Sequence, residues 1–284
     1  MSISLDLSLL RSLVAVSRMG SISAAALQVG RTQSAVSMQM HRLEESLGQP
    51  ILHRTGNGVR LTTTGERLLV HAERILGAHD EAVAEISGTG LYGSISFGCP
   101  EDYLTAFLPD ILKGFSARHP AVEIEVVCAP TVELRPMLHR RQIDLALISL
   151  PAASNGTDIL RPESFVWIAS SPQPSILQQQ VIPLALSASN TLDHRAACNA
   201  MDRLQMPYRI SFASNSLAGL LAVARSGQAI SVITRTATPP DLFILDDPMP
   251  VLPSIEIALS YASGSQSATV RTFGDYIHEQ IRVH

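Results

Sequence analysis

Residues 21–48 read Ser21-Ile22-Ser23-Ala24-Ala25-Ala26-Leu27, then Gln28-Val29-Gly30-Arg31, then Thr32-Gln33-Ser34-Ala35-Val36-Ser37-Met38-Gln39-Met40, and close on Leu43-Glu44-Glu45-Ser46-Leu47-Gly48. Ser21 or Ser23 caps a short alanine-rich helix over 24–29, whose small side chains admit a close neighbour. Gly30 and Arg31 make the turn. Thr32 caps a second helix over 33–47, and Gly48 ends it. Val36, Met40, Leu43 and Leu47 form its buried stripe. Two short helices across a tight glycine turn are a helix-turn-helix, and the second should enter a major groove with its first residues at the bases. Those residues are Gln33, Ser34, Ala35, Ser37 and Met38. Gln can pair with adenine, Ser can meet several base edges, and Ala35 can touch a thymine methyl. Ser23 and Thr32, at the helix starts, are also expected among the DNA-binding residues.

Upstream, Leu7, Leu10, Val14 and Ser17 recur at helical spacing, with Leu9, Leu13 and Val16 broadening the face, until Gly20 stops the helix. Downstream, two short apolar runs surround Thr55-Gly56-Asn57-Gly58. They read as a hairpin, a wing holding Arg54 and Arg60 near phosphates or a minor groove. The plain alternative is a three-helix packing unit with a surface hairpin.

Charge favours the first reading. The chain has 284 residues and a formal net charge of −4. Within residues 1–60, six arginines face three carboxylates, a net +3, which leaves −7 on the rest. A basic head on an acidic body suits a polyanion-binding end. The lone lysine is Lys113, so phosphate contacts fall to arginine, hydroxyls and backbone amides.

From Thr62 to Ser87 there is no proline. Leu68, Ala72, Ile75, His79, Ala82 and Ile86 step by four and three, beside a row of Leu69, Leu76 and Val83. The pattern predicts a helix of roughly 24 residues, about 36 Å long. Its apolar face is broad enough to pack against a second copy, and Leu68, Leu69, Ala72, Ile75, Leu76, His79, Val83 and Ile86 are the expected dimer contacts.

Beyond residue 93, strands and helices alternate, which implies a parallel α/β sheet. Strands are expected at 94–97, 123–128, 144–150, 165–169, 182–186, 208–212, 229–233 and 255–261. Helices are expected at 106–118, 132–140, 195–204, 217–225 and 270–281. Gly88-Thr89-Gly90-Leu91-Tyr92-Gly93 is literally a G-x-G-x-x-G, but it follows a helix and precedes a strand, so it reads as a hinge rather than a nucleotide loop.

The helix-turn-helix runs quoted above, with Leu61-Thr62-Thr63-Thr64-Gly65, resemble the highly specific N-terminal motif of the LysR-type transcriptional regulators. The resemblance covers essentially the whole chain, more loosely beyond residue 160. The subgroup nearest in appearance contains the motility and exoenzyme repressors LrhA and HexA, because Gly98-Cys99-Pro100-Glu101-Asp102 is similar to theirs. Met38 departs from the pattern, standing where many members carry a basic residue. The resemblance implies a winged helix-turn-helix at 1–62, a dimerising linker helix at 63–88, and a periplasmic-binding-protein-like effector domain at 89–284. In that domain the first lobe spans about 93–162 and 262–284, and the second about 163–261. It also implies an operator on duplex DNA, a small-molecule effector, self-association to a dimer or tetramer, and indirect engagement of RNA polymerase.

The effector should sit between the lobes, near strand ends and helix N-termini. Three loops are expected to line the cleft: Pro100, Glu101, Asp102 and Tyr103 behind Cys99; Ser149 and Leu150; and Ser214, Asn215 and Ser216. Many relatives use hydroxyls and helix amides at these places to hold a carboxylate. Glu101 and Asp102 would repel one if they face the cleft, favouring a cationic, neutral or hydroxyl-rich effector. Alternatively, Asp102 caps the next helix.

An enzyme reading finds no G-x-S-x-G, no H-E-x-x-H and no P-loop. No metal-ligand spacing or cofactor motif stands out. A transport solute-binding protein would share the two lobes but would need a signal peptide, and residues 1–10 do not read as one. Three well-separated cysteines fit free thiols in the cytoplasm, and no apolar run reaches membrane-spanning length.

Overall fold

The computed structural model describes residues 5–56, 58–87, 90–152, 158–264 and 266–282. It opens with three helices, α1 (Leu7–Met19), α2 (Ile22–Gln28) and α3 (Gln33–Leu47). Asp6 caps α1, its Oδ1 accepting from the Ser8 amide at 2.7 Å. Ser21 caps α2 by accepting from the Ala24 amide at 3.4 Å, so the helix starts at Ile22, two residues before the alanine run, and Ser23 lies inside it. Thr32 caps α3, accepting from Ala35 at 3.2 Å, and Gly48 closes it in the left-handed conformation. Leu10, Leu13, Val16, Ala25, Val36, Met40 and Leu43 make one core.

The wing, β1 (Leu52–Thr55) and β2 (Gly58–Leu61), is antiparallel with Leu52 opposite Leu61. It is sewn to the α1–α2 turn: the Val59 amide donates to the Gly20 carbonyl at 2.9 Å. Gly58 permits this, because a Cβ there would lie 2.3 Å from the Gly20 oxygen. Glu44 anchors the other side, one Oε1 accepting from the Ile51 and Leu52 amides at 2.9 and 3.3 Å.

The linker helix is α4 (Thr63–Ser87). Thr62 starts it, donating to the Pro50 carbonyl and accepting from the Gly65 amide at 3.0 Å. Gly65 is required sterically, since its Cβ would fall 2.2 Å from the Ile51 oxygen. The first turns of α4 belong to the N-terminal domain: Leu68, Ala72 and Leu76 complete its core.

The second domain runs β3 (Tyr92–Cys99), α5 (Glu101–Arg118), β4 (Ala121–Cys128), α6 (Thr131–His139), β5 (Leu145–Pro151), β6 (Asp158–Ala169), β7 (Ile182–Leu186), α7 (Leu192–Arg203), β8 (Tyr208–Ala213), α8 (Leu217–Arg225), β9 (Ile230–Thr234), β10 (Phe243–Leu245), β11 (Ser254–Tyr261) and α9 (Ala268–Arg282). Among the described residues the sheet order is β4-β3-β5-β11-β6-β9-β7-β8, with β10 on β6. The parallel expectation holds for the strand–helix–strand units of each lobe, but not for β10, which lies antiparallel on β6. β3 pairs parallel with β4 and β5, and β7 with β8 and β9. Where the chain passes between lobes the pairing is antiparallel: β11 lies against β5 and β6, and β6 against β9. β11 pairs with β5 from Ile255 to Tyr261, so the return towards the first lobe is made by this strand. The linker-to-sensor joint begins its strand at Tyr92; Gly88 and Thr89 lie outside the described residues.

Three elements depart most from the sequence expectation, the other boundaries shifting by three residues or fewer, as at α7, which begins at Leu192. α5 begins at Glu101 rather than near Ala106. The acidic first turn and the mid-helix Pro109 disguised its start. β6 begins seven residues earlier than expected, through Arg161-Pro162-Glu163, which do not alternate like a strand. β10 is only three residues long.

Each lobe has its own core. In the first, α9 returns to cover the sheet, with Phe273 edge-on to Phe97 at 5.5 Å and to Phe115 at 4.8 Å between ring centroids. Phe273 is fully buried. Phe273→Ala is expected to destabilise the lobe by about 3–5 kcal/mol. Equilibrium urea unfolding measures this, and a loss below about 1 kcal/mol would show that α9 is not integral to the core.

Candidate nucleic-acid interface and effector cleft

The first turn of α3 faces outward. Thr32, Gln33 and Ser34 are exposed, Ala35 and Ser37 half-buried, and Met38 is 56% exposed. Thr32 Oγ1 and Ser34 Oγ lie 3.0 Å apart. Ser34, Ser37, Met38 and His41 share a shallow hollow with Leu52 and Val59 of the wing. Ser23 is exposed at the start of α2, and Arg60 on β2. Arg54 lies on β1; its side chain is outside the described features.

The basic head is partly spent internally. Arg11 meets Asp80 of α4 at 2.7 Å. Arg18 meets Asp144, just before β5, also at 2.7 Å, and both side chains are largely buried. Asp144 also accepts from the Ser96 amide at 2.8 Å. Nearby, Arg141 pairs with Glu73 of α4. Burial pushes the Glu73 carboxyl up, against the pull of Arg141 and Arg18. The first pair ties α1 to α4, and the other two tie α1 and α4 to the first lobe.

Among the residues expected in the dimer contact, Leu68, Leu69, Ala72 and Leu76 are buried within the protomer. Ile75 and Val83 are 39% and 38% exposed and Ile86 is 86% exposed, with His79 half-buried between them.

The cleft between lobes encloses about 500 Å³. Pro100, Glu101, Asp102, Tyr103, Ser149, Ser214, Asn215 and Ser216 all line it. Leu150, the remaining expected residue, instead packs in the first lobe's core, because side chains alternate along β5. At the floor, Tyr103 Oη and Ser149 Oγ are 2.7 Å apart, and the Ser149 amide donates to Thr131 Oγ1 at 2.9 Å. Burial drives the Tyr103 phenol far up, so it stays a neutral hydroxyl. Sequence reasoning missed Thr131, Thr191, Asp193, Arg195, Arg135 and Thr234, which also line the cavity. The signal that could have found Thr131 and Thr191 is positional: each opens a helix directly after a strand.

Glu101 and Asp102 do reach the cleft, but in a way neither reading from sequence described. Pro100 is the N-cap of α5. Glu101 crosses to the second lobe, its carboxylate accepting from the Leu217 amide at 2.7 Å, the Ala218 amide at 3.4 Å and Ser216 Oγ at 3.3 Å. Asp102 Oδ2 accepts from Thr234 Oγ1 at 2.8 Å and the Thr234 amide at 3.2 Å. Burial lifts the Asp102 carboxyl to about 6, against the Thr234 hydrogen bonds and with Asp193 and Glu101 adding to the rise.

A winged helix-turn-helix with an open recognition helix, carried on a long helix and followed by a two-lobed cleft, defines a ligand-responsive DNA-binding regulator. Residues 7–66 match the bacterial regulatory helix-turn-helix protein, lysR family, and residues 88–282 match the LysR substrate binding domain. The chain belongs to the LysR family of transcriptional regulators. It is 50% identical over 276 residues to the HTH-type transcriptional regulator DgdR of Burkholderia cepacia, covering 96% of this chain and 94% of that protein. It is 31% identical over 260 residues to PecT of Dickeya dadantii, covering 88% and 80%. Its fold is similar to a full-length OxyR variant from Pseudomonas aeruginosa (TM-score 0.64, 20% identity, covering 99% of this chain and 95% of that one). It is also similar to full-length CbnR with its target DNA (TM-score 0.52, 18% identity, covering 97% and 100%). The chain is therefore a DNA-binding transcriptional regulator whose operator binding is modulated by a small effector, and its relatives are regulators rather than enzymes. Among the described residues, no helix is long and apolar enough to cross a membrane.

The raised Asp102 carboxyl has a stability consequence. Its ordinary value is 3.8 and its folded value about 6. The fold thus holds an extra proton between these values, and the group's stabilising contribution is lost as pH rises from about 4 through about 6. Asp102→Asn keeps an acceptor for Thr234 without the charge. Its melting temperature relative to the parent is expected to rise by about 2–4 °C or more on going from pH 5 to pH 7.5. A difference that stays flat over that range would count against a buried, strained carboxylate.

Proposed function

We propose that a dimer of this chain reads a two-fold symmetric operator, with Gln33, Ser34, Ala35, Ser37 and Met38 at base edges and Ser23, Thr32, Arg54 and Arg60 at the backbone or wing groove. The observation that carries this is the outward, uncharged first turn of α3, open to solvent beside the wing. A gel-shift series at fixed salt tests it. Gln33→Ala, Ser34→Ala and Arg54→Ala should each weaken operator binding about tenfold or more, a loss of 1–3 kcal/mol per contact. Unchanged affinity in all three would reject the assignment.

The dimer is proposed to form along the outer face of α4, through Ile75, His79, Val83 and Ile86, with Leu68, Leu69, Ala72 and Leu76 supporting that face from beneath. Their exposure pattern supports this division. Ile86→Glu together with Ile75→Glu should shift the mass seen by light scattering towards the monomer at micromolar concentration; an unchanged dimer would place the interface elsewhere.

The effector sits in the inter-lobe cleft against Pro100–Tyr103, Ser149 and Ser214–Ser216, and is cationic, neutral or hydroxyl-rich. The two carboxylates at the cleft wall support that class. Effector binding changes lobe or dimer geometry and so the operator contacts, with RNA polymerase engaged indirectly. We place the protein in the cytoplasm, and within the family near the LrhA- and HexA-like regulators on the strength of Gly98–Asp102.

A further inference from the structure

The start of α8 carries an unusual occupant. A helix N-terminus presents free amides and a partial positive charge, and it ordinarily takes a local cap, water or a bound anion. Ser216, the N-cap residue, makes no side-chain cap bond to α8. Its hydroxyl points to Glu101 instead. Ser214 fixes the turn, its Oγ accepting from the Ser216 amide at 3.2 Å. Gly219 leaves room for it, because a Cβ there would lie 2.2 Å from Ser214 Oγ. The amides of Leu217 and Ala218 are left facing the cleft, and both are taken by one carboxylate. That carboxylate comes from the opposite lobe, 116 residues away in the chain.

The next residue repeats the crossing. Asp102 grips Thr234 at the end of β9, also in the second lobe. Two adjacent side chains on the first turn of α5 therefore bracket two separate elements across the cleft. A rigid helix turn holding two points resists both rotation and separation of the lobes. The cavity still holds Arg135 and Arg195, so its walls are not uniformly acidic. At the seat on α8 two helix amides converge on one carboxylate, and the chain has filled it.

We propose that Glu101 is an internal ligand: a tethered carboxylate that occupies the anion seat of α8, holds the lobes together without effector, and denies that seat to carboxylates and phosphates. This deepens the cleft reading of the proposed function and rests on it. Glu101 becomes the residue that sets the effector class. An effector reaches the closed cleft by using the carboxylate lone pairs not committed to α8, or by breaking the Glu101 contact and so releasing the lobes.

The test is chemical rescue on the full-length chain, with acetate as the probe and chloride matching the ionic strength. Glu101→Ala should lower the melting temperature, and acetate should restore it. By calorimetric titration acetate should bind this variant at least about tenfold more tightly than the parent, since charge-assisted hydrogen bonds are at stake. Glu101→Gln keeps the seat filled by a neutral amide and should show weakened stability with no acetate rescue. X-ray scattering should give a larger radius of gyration for Glu101→Ala, contracting when acetate is added. Should Glu101→Ala fail to fold, Glu101→Gln carries the test, because loss of the charge alone should lower its melting temperature and an unchanged value would overturn the proposal; Glu101→Asp, too short to span the cleft, should mimic the loss. Acetate that affects the parent and Glu101→Ala equally, or neither, overturns the proposal. Operator gel shifts of the parent are read separately: their failure would sink the regulator reading and leave the seat assignment standing.

Discussion

In the sensor domain α5, α6, α7 and α8 all begin at the same cleft, and that convergence governs the rest of the site. It follows from topology. A parallel strand that feeds a helix delivers the helix N-terminus above the strand's C-terminal end, and both lobes do this towards their shared boundary. Every such start leaves amides in need of acceptors. At α8 a carboxylate from the other lobe answers that need, and the remaining polar groups at the boundary pair with one another. Glu101 serves α8, Asp102 serves the end of β9, and Thr131 serves the Ser149 amide. On α7, Asp193 accepts from Ser187. The cleft thus carries a few polar contacts between lobes, completed by the chain's own groups, within a largely apolar lining.

The junction is not isolated from the DNA-reading end. β5 presents Ser149 to the cleft, and Asp144 at its opposite end meets Arg18 of α1. Asp144 is held on its other side by the Ser96 amide, so the strand pair and the ion pair share one carboxylate. Glu73 and Arg141 make a parallel contact to α4. Buried ion pairs contribute little net stability against a well-packed apolar alternative, because desolvation offsets the attraction. Their directionality is what matters here. The first lobe cannot rotate against α1 without either carrying Arg18 along or leaving Asp144 and Arg18 unpaired in a largely buried place, which costs several times what the pair gains.

Local chemistry was legible and long-range chemistry was not. α3 and α8 were read from sequence to the residue, because each has a clean stop and an uninterrupted stripe. The wing was read from its Gly-Asn-Gly turn. The start of α5 was obscured by the acidic pair, whose real partners lie more than a hundred residues further on. Nothing local distinguishes a glutamate that caps its own helix from one that caps another. The linker helix shows the same limit: periodicity revealed a broad apolar face, but only packing shows that Leu68, Ala72 and Leu76 turn towards their own domain. Leu150 fell out of the cleft for the opposite reason. It neighbours Ser149 in sequence, and a strand sends neighbours to opposite faces.

The arginine excess at the N-terminus also changes meaning once the partners are known. Counted as sequence, it reads as a basic surface for phosphate. In the fold, Arg11 pairs with Asp80 of α4 and Arg18 with Asp144 of the first lobe, so part of the asymmetry is spent inside the protein and Arg18 ties the two domains together. What stays exposed near the recognition helix includes Arg31, Arg42 and Arg60, set among hydroxyls and an uncharged first turn. On the proposed reading, discrimination rests on the short polar side chains of α3, because base edges carry the sequence information and the backbone does not.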